Sequence, residues 1–160
     1  MRRESSAGLT LLELLFVLAI LGLLTSAGLP RLHGVMDSHR LATTAATLRG
    51  HLHYARAEAV RRGHDVVLCG SKDCGTTDWS AGWRVFAAGE GNETPLEHGE
   101  PAAPDVRTNR RRLAFRFDGT TRAGGTLTVC GNSGRGRQLV VSRSGRVRGR
   151  TATDAACAKD

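Results

Sequence analysis

Lysine and aromatic side chains are scarce in this 160-residue chain: lysine occurs only at Lys72 and Lys159, and two Trp, one Tyr and four Phe make up the aromatics. With so few rings, several of them expected in the core, stacking on exposed bases is expected to be weak. The remaining basic residues are all arginine, whose planar fork grips oxyanions in pairs, so the formal charge of +8 points to anion recognition rather than solubility alone. Catalytic and metal-binding spacings are missing too. The six histidines, His33, His39, His51, His53, His64 and His98, show neither HExxH nor HxxxH, and His51 and His53 fall on different faces of a helix. Ser144 lacks a nucleophile-elbow pattern, and Gly134-Arg135-Gly136-Arg137 does not lead into a helix as a phosphate loop would. Surface histidines and turn glycines account for these residues; no enzyme, cofactor or metal is expected.

What the chain does have is one long uncharged stretch, from Leu14 to Pro30, preceded by Leu9-Thr10-Leu11-Leu12-Glu13 and a short basic leader, Met1 to Ala7. Counted from Leu9 it holds about 21 mostly apolar residues, the length a helix needs to cross the hydrocarbon core. A secretory signal would place small residues after its apolar core. Here Ala7-Gly8 stand before it and Leu29-Pro30-Arg31 follow, so a cut after Gly8 leaves the apolar helix on the mature chain. These residues closely resemble a type IV prepilin signal. The resemblance implies cleavage between Gly8 and Leu9 by a prepilin peptidase, N-methylation of Leu9, where the usual residue is Phe, and an assembly role for Glu13. A carboxylate alone in lipid is costly. The resemblance gives Glu13 a partner in the mature N-terminal amine of a neighbouring subunit.

Residues 31–160 suffice for one compact head and not for two. Gly28 and Pro30 predict a bend, after which the helix resumes: Leu41, Ala45, Leu48, Leu52, Ala55 and Ala59 form one apolar stripe, with Arg40, Arg49, Arg56 and Arg61 off it. Arg61-Arg62-Gly63 reads as its C-terminus. Short strands are predicted at Asp65–Cys69, Trp83–Phe86, Leu113–Phe117, Thr126–Cys130 and Gln138–Ser142, with Leu113, Phe115 and Phe117 on one face. Trp79, Trp83 and Phe86 read as core. Ala87 to Arg112, rich in acids and proline, reads as a mobile solvated loop. The fold class is therefore α+β, a long N-terminal helix packed on a small antiparallel sheet. Four cysteines allow three pairings. An oxidising location favours disulfides, and Cys69 with Cys74 and Cys130 with Cys157 is the pairing expected.

Charge is segregated along the head. Gly63 to Val106 holds eight acids and two bases, whereas Arg107 to Arg150 holds twelve arginines and one acid. Within the basic half, Arg135 and Arg137 precede the Leu139–Val141 strand, and Arg143, Arg146, Arg148 and Arg150 follow it. A hairpin or edge would gather them. In an extended backbone Arg146, Arg148 and Arg150 would share a face at roughly 6 to 7 Å intervals, about the spacing of successive phosphates on one DNA strand. Leu52 to Arg62, Val66 to Cys69 and Trp79 to Phe86 together resemble the FimT/GspH group of minor pilins and pseudopilins. Gly145-Arg146-Val147-Arg148 resembles the C-terminal motif of FimT-type minor pilins that bind DNA in natural transformation. These resemblances imply a type IV pilin-like fold and a subunit held in the bacterial inner membrane by one span (residues 9–30), its head in the periplasm. It would later join a pilus or pseudopilus filament, at the cell surface in the pilus case. Other pilins and double-stranded DNA, bound without sequence preference, are the implied partners. A structural minor pilin or type II secretion pseudopilin that primes or caps the filament is the alternative.

Overall fold

The computed structural model describes residues 10–71, 74–89, 95–100, 104–132, 134–152 and 154–157, leaving aside the side chains of 24–33, 154 and 155. The chain divides into two compact units, residues 1–36 and 37–160. Helix α1 (Leu11–Arg62) enters both and remains helical through Gly28 and Pro30. In the first unit Thr10 caps the helix, its Oγ1 accepting the Glu13 N–H at 3.3 Å, with an acid at the third helical position. The apolar side chains from Leu11 to Leu23 lie exposed. Among the described residues no helix is long and apolar enough to cross a membrane. The expected span of residues 9–30 begins at Leu9, outside the described residues, and its last seven side chains are outside them too.

In the second unit the stripe Leu41, Ala45, Leu48, Leu52, Ala55 and Ala59 is buried throughout. Removing these side chains from water is the main force that holds the helix on the strands, since its polar face gains little. The helix ends on Gly63, whose φ of 69° is left-handed and whose N–H reaches the Ala59 carbonyl at 3.0 Å. Two sheets follow, not the single sheet expected. The first has the order β3-β2-β1-β5, with β1 (Val66–Gly70), β2 (Trp83–Ala87), β3 (Glu97–Gly99) and β5 (Arg112–Phe115). The second has the order β4-β6-β7-β8, with β4 (Asp105–Thr108), β6 (Gly125–Cys130), β7 (Gly136–Val141) and β8 (Val147–Ala152). All pairings are antiparallel. Core residues come from α1, from both sheets and from the β1–β2 connection, including Trp79 in that connection and Trp83, Val85, Phe115, Leu127 and Leu139.

Three expectations are corrected. The Ala87–Arg112 stretch is not one loop: β3 and β4 lie in it, and their partners β2 and β6 supply the hydrogen bonds that an acidic, proline-rich sequence does not advertise. Residues 90–94 and 101–103 within it are outside those described. Phe117 does not continue the buried Leu113 and Phe115 alternation, because β5 ends at Phe115 and the chain turns at Arg116. His51 is not a surface histidine. Burial pushes its pKa down despite the opposing pull of Glu97, and its Nδ1 accepts the Trp83 indole N–H at 2.7 Å.

Two disulfides form in the expected pairing, Cys69–Cys74 and Cys130–Cys157, with Cα separations of 5.0 and 5.5 Å. The second ties the short helix α2 (Asp154–Cys157) to the end of β6.

Candidate nucleic-acid interface

The arginines predicted to act together fall into four places. Strand β8 is the edge of the second sheet, paired only with β7. Val147 and Ala152 at its ends are buried, and the four residues between them, Arg148 and Arg150 included, are exposed. Those two lie opposite Val140 and Gln138, so both project from the face turned away from Leu139 and Val141. Arg146 closes the β7–β8 loop, where its N–H meets the Ser142 Oγ at 3.2 Å and its carbonyl accepts the Ser142 N–H at 3.0 Å. With Arg143 it occupies the hairpin end of the sheet. Arg135 sits at the opposite end, in the β6–β7 turn, where its carbonyl accepts the Gly131 N–H. That turn is anchored on α1 by Asp37, whose Oδ1 accepts the Asn132 N–H at 3.1 Å. Arg137 is opposite Val129 and Thr151, in phase with Leu139, and so belongs to the other face from Arg148 and Arg150. The single six-arginine cluster is thus corrected to an edge row led by Arg146, with Arg135 and Arg137 apart from it. Period-two alternation sets this division: β7 turns Leu139 and Val141 toward the core, and Arg137 is in phase with them at the strand's exposed end.

Residues that sequence reasoning did not single out shape the row. Gln138 lies across from Arg150 on one side and Thr128 on the other. Its Oε1 accepts the Arg150 Nε–H at 2.8 Å, and its Nε2 donates to the Thr128 hydroxyl at 3.2 Å. With the Nε–H turned into the sheet, the guanidinium's outer nitrogens are left for an oxyanion in the bidentate geometry arginine favours. At the hairpin end, Arg56 of α1 donates from Nη1 to the Gly145 carbonyl at 3.3 Å. Gly145 has a φ of 73°, and a Cβ placed on it would lie 2.0 Å from the Gly119 carbonyl oxygen. Only glycine fits at this point in Gly145-Arg146-Val147-Arg148, because two turns touch there. Nothing in the one-dimensional pattern signals Gln138 or Arg56. Both gain their meaning from strand register and helix docking.

Among the described residues no group of His, Cys, Asp and Glu is placed to hold a metal ion. A cleft of about 340 Å³ beside His51 is lined by Thr43, Thr47, Trp83, His98 and Glu100. Here the Trp83 indole fixes the His51 tautomer, putting the remaining proton on Nε2, which faces Glu97 Oε1 at 3.8 Å. Elsewhere on α1, Glu58 is buried and held by Arg61 and Arg62, whose hydrogen bonds pull its pKa down to about 2. Of the N-terminal processing residues, Gly8 and Leu9 lie outside the described residues. Glu13 is exposed on the first turn of α1.

Residues 44–145 match the profile of type II transport protein GspH, and residues 3–29 match the prokaryotic N-terminal methylation motif. Among solved structures, the type IV minor pilin FimU of Pseudomonas aeruginosa is similar in two crystal forms. One is 26% identical with a TM-score of 0.57, covering 72% of this chain and 94% of that one. The other is 25% identical with a TM-score of 0.59, covering 74% and 92%. The minor pseudopilin EpsH from the type 2 secretion system of Vibrio cholerae shares the fold at 10% identity, with a TM-score of 0.56 and coverage of 70% and 97%. No curated protein matches the sequence. The GspH profile covers more than half of the sequence and the helix-and-sheets fold agrees with it, so this chain belongs to the GspH family of type IV minor pilins and pseudopilins.

Proposed function

We propose that this subunit is a minor pilin that binds double-stranded DNA by its phosphate backbone during DNA uptake. The observation that carries this reading is the exposed edge row of Arg148 and Arg150, with Arg146 leading into it, on a strand that bears no acid. Cα atoms two residues apart on a strand are roughly 6 to 7 Å apart, so successive guanidiniums can follow successive phosphates. Such contacts position a duplex without reading its bases, so binding is independent of sequence and falls steeply with salt. Arg143 adds charge at the hairpin end, while Arg135 and Arg137 contribute only to the wider field. The N-terminal part of the same reading is cleavage between Gly8 and Leu9, methylation of Leu9, insertion of residues 9–30 in the inner membrane, and contact of Glu13 with a neighbouring subunit's N-terminal amine. The methylation-motif match over residues 3–29 supports it.

The test is fluorescence anisotropy of labelled duplex DNA with the full chain in detergent, across a salt series. Loss of two phosphate contacts in Arg146→Gln with Arg148→Gln lowers the magnitude of the log–log salt slope by about 1.8. Unchanged affinity in that double variant rejects the edge row as the site. The likeness to FimU and EpsH supports a second reading, a structural minor pilin or secretion pseudopilin whose basic edge meets other subunits. No binding by the unmodified chain at low salt would favour it.

A further inference from the structure

Phe117 is the most exposed of the Phe, Tyr and Trp rings of the head: Trp79, Trp83, Phe86 and Phe115 are buried and Tyr54 on α1 is 38% exposed, whereas Phe117 is 52% exposed. It occupies the tip of the turn between β5 and β6, which is closed by hydrogen bonds from Arg116 N–H to the Thr120 carbonyl and from Gly119 N–H to the Arg116 carbonyl, both 2.8 Å. The Arg116 guanidinium lies 5.5 Å from the ring centroid. This turn is locked to the β7–β8 hairpin, because Thr121 donates its N–H to the Arg143 carbonyl at 2.8 Å and its hydroxyl to the Ser142 carbonyl at 3.1 Å. The Gly119 carbonyl packs directly on Gly145. Two loops distant in sequence therefore form one tip that carries Arg116, Arg122, Arg143 and Arg146, with Arg56 beneath it.

Two carboxylates belong to the same tip, and both are engaged. Asp118 Oδ1 accepts from the Thr120 N–H and hydroxyl, bonds that hold its pKa below the ordinary range, and Asp65 faces Arg122 at 3.9 Å. The tip is thus a net basic surface around one exposed aromatic ring, at the end of β8 where the arginine row begins. Phe117 lies two residues from Gly119, and Arg143 and Arg146 lie two and one residues from Gly145, so phosphates held on those arginines would have their bases at the same tip as the ring. In an intact duplex those bases are stacked and paired, and the ring has no use. At a single-stranded end an unpaired base can lie on it, a contact that tolerates any base because each has a π-face.

We infer that Phe117 and Arg116 form a stacking clip for an unpaired base, so that a duplex lies along β8 with its single-stranded end at the tip. This rests on the DNA-binding reading above and deepens it by naming the form of DNA preferred. The experiment uses the full chain in detergent and three labelled probes: a blunt duplex, the same duplex with a short 3′ overhang, and the overhang strand alone. The expected result is tighter binding of the overhang duplex than the blunt one by about 5- to 150-fold, the range that one base–aromatic stack supplies. Phe117→Ala removes that preference and leaves blunt-duplex affinity unchanged, while Phe117→Trp retains it. Equal binding of blunt and overhang duplexes by the unmodified chain overturns the clip and leaves the phosphate row standing. An equal loss on all probes in Phe117→Ala overturns it as well, since the ring would then support the loop and not a base. Unchanged DNA binding in Phe117→Ala with reduced filament incorporation assigns the ring to a subunit contact and overturns it too. No binding of any probe by the unmodified chain refutes the underlying DNA reading itself.

Discussion

Replacing Gly145 by Ala asks whether the contact between the two turns holds the hairpin end together. The backbone there has a φ of 73°, and the left-handed region costs an L-residue about 1 to 2 kcal/mol. The added Cβ would also lie 2.0 Å from the Gly119 carbonyl oxygen and 3.1 Å from Arg56 Nε. The arginine can swing away, but the carbonyl belongs to a turn fixed by two hydrogen bonds, so the turns must part by about 1 Å. Parting them weakens the Thr121–Arg143 and Arg56–Gly145 hydrogen bonds, each worth about 0.5 to 1.5 kcal/mol. The expected loss is about 3 to 5 kcal/mol. Gly63→Ala is the matched control, because Gly63 has nearly the same φ, 69°, with nothing within 4 Å of an added Cβ. It should lose only the backbone cost, about 1 to 2 kcal/mol. In a unit of this size 1 kcal/mol is worth about 4 °C of Tm, so thermal unfolding followed by circular dichroism separates the two variants readily. Equal shifts in both would show that backbone conformation alone is at stake and that the two turns are not packed as described.

Three further outcomes are expected. Gln138→Leu should weaken DNA binding by about 2- to 5-fold through loss of the Arg150 acceptor, and in a double-variant cycle it should add nothing once Arg150→Gln is present; full additivity would deny the coupling. Glu58 titrates at about 2 in the folded head against 4.5 ordinarily, so its stabilisation is complete above 4.5 and disappears as pH falls toward 2; Tm measured across that range should lose this component in Glu58→Gln, and an unchanged profile would reject the assignment. Breaking the Cys130–Cys157 bond, which spans 27 residues, by a double Ser substitution should cost about 3 to 4 kcal/mol in denaturant unfolding, against about 2 kcal/mol for Cys69–Cys74, which spans 5; the reverse order would show that loop-closure entropy does not set their value.

Much of the second unit was legible because its signals are local. The Leu41-to-Ala59 stripe, the Gly63 cap and the alternation at Leu113 and Phe115 each need only a few neighbouring residues to declare themselves. Strands β3 and β4 were not legible. Their sequences, Glu97–Gly99 and Asp105–Thr108, are short and polar, and they become strands because β2 and β6 offer them partners. The same holds for the polar link through Gln138, which exists only in the register of β6, β7 and β8.

For the basic surface the division is similar. By itself the sequence determined the amount of arginine, its concentration after Arg107, and the period-two spacing that puts Arg148 and Arg150 on one face, because alternation is a property of any extended chain. Tertiary structure alone decided which arginines keep company. It set Arg137 on the opposite face and Arg135 at the far end, and it brought Arg56, Arg116 and Arg122 to the hairpin. It also left Phe117 exposed among them, since a turn begins where the strand pattern would have buried it. Side-chain direction along a strand follows from backbone geometry, but proximity between strands and loops depends on which pairings close the core, and those pairings are long-range.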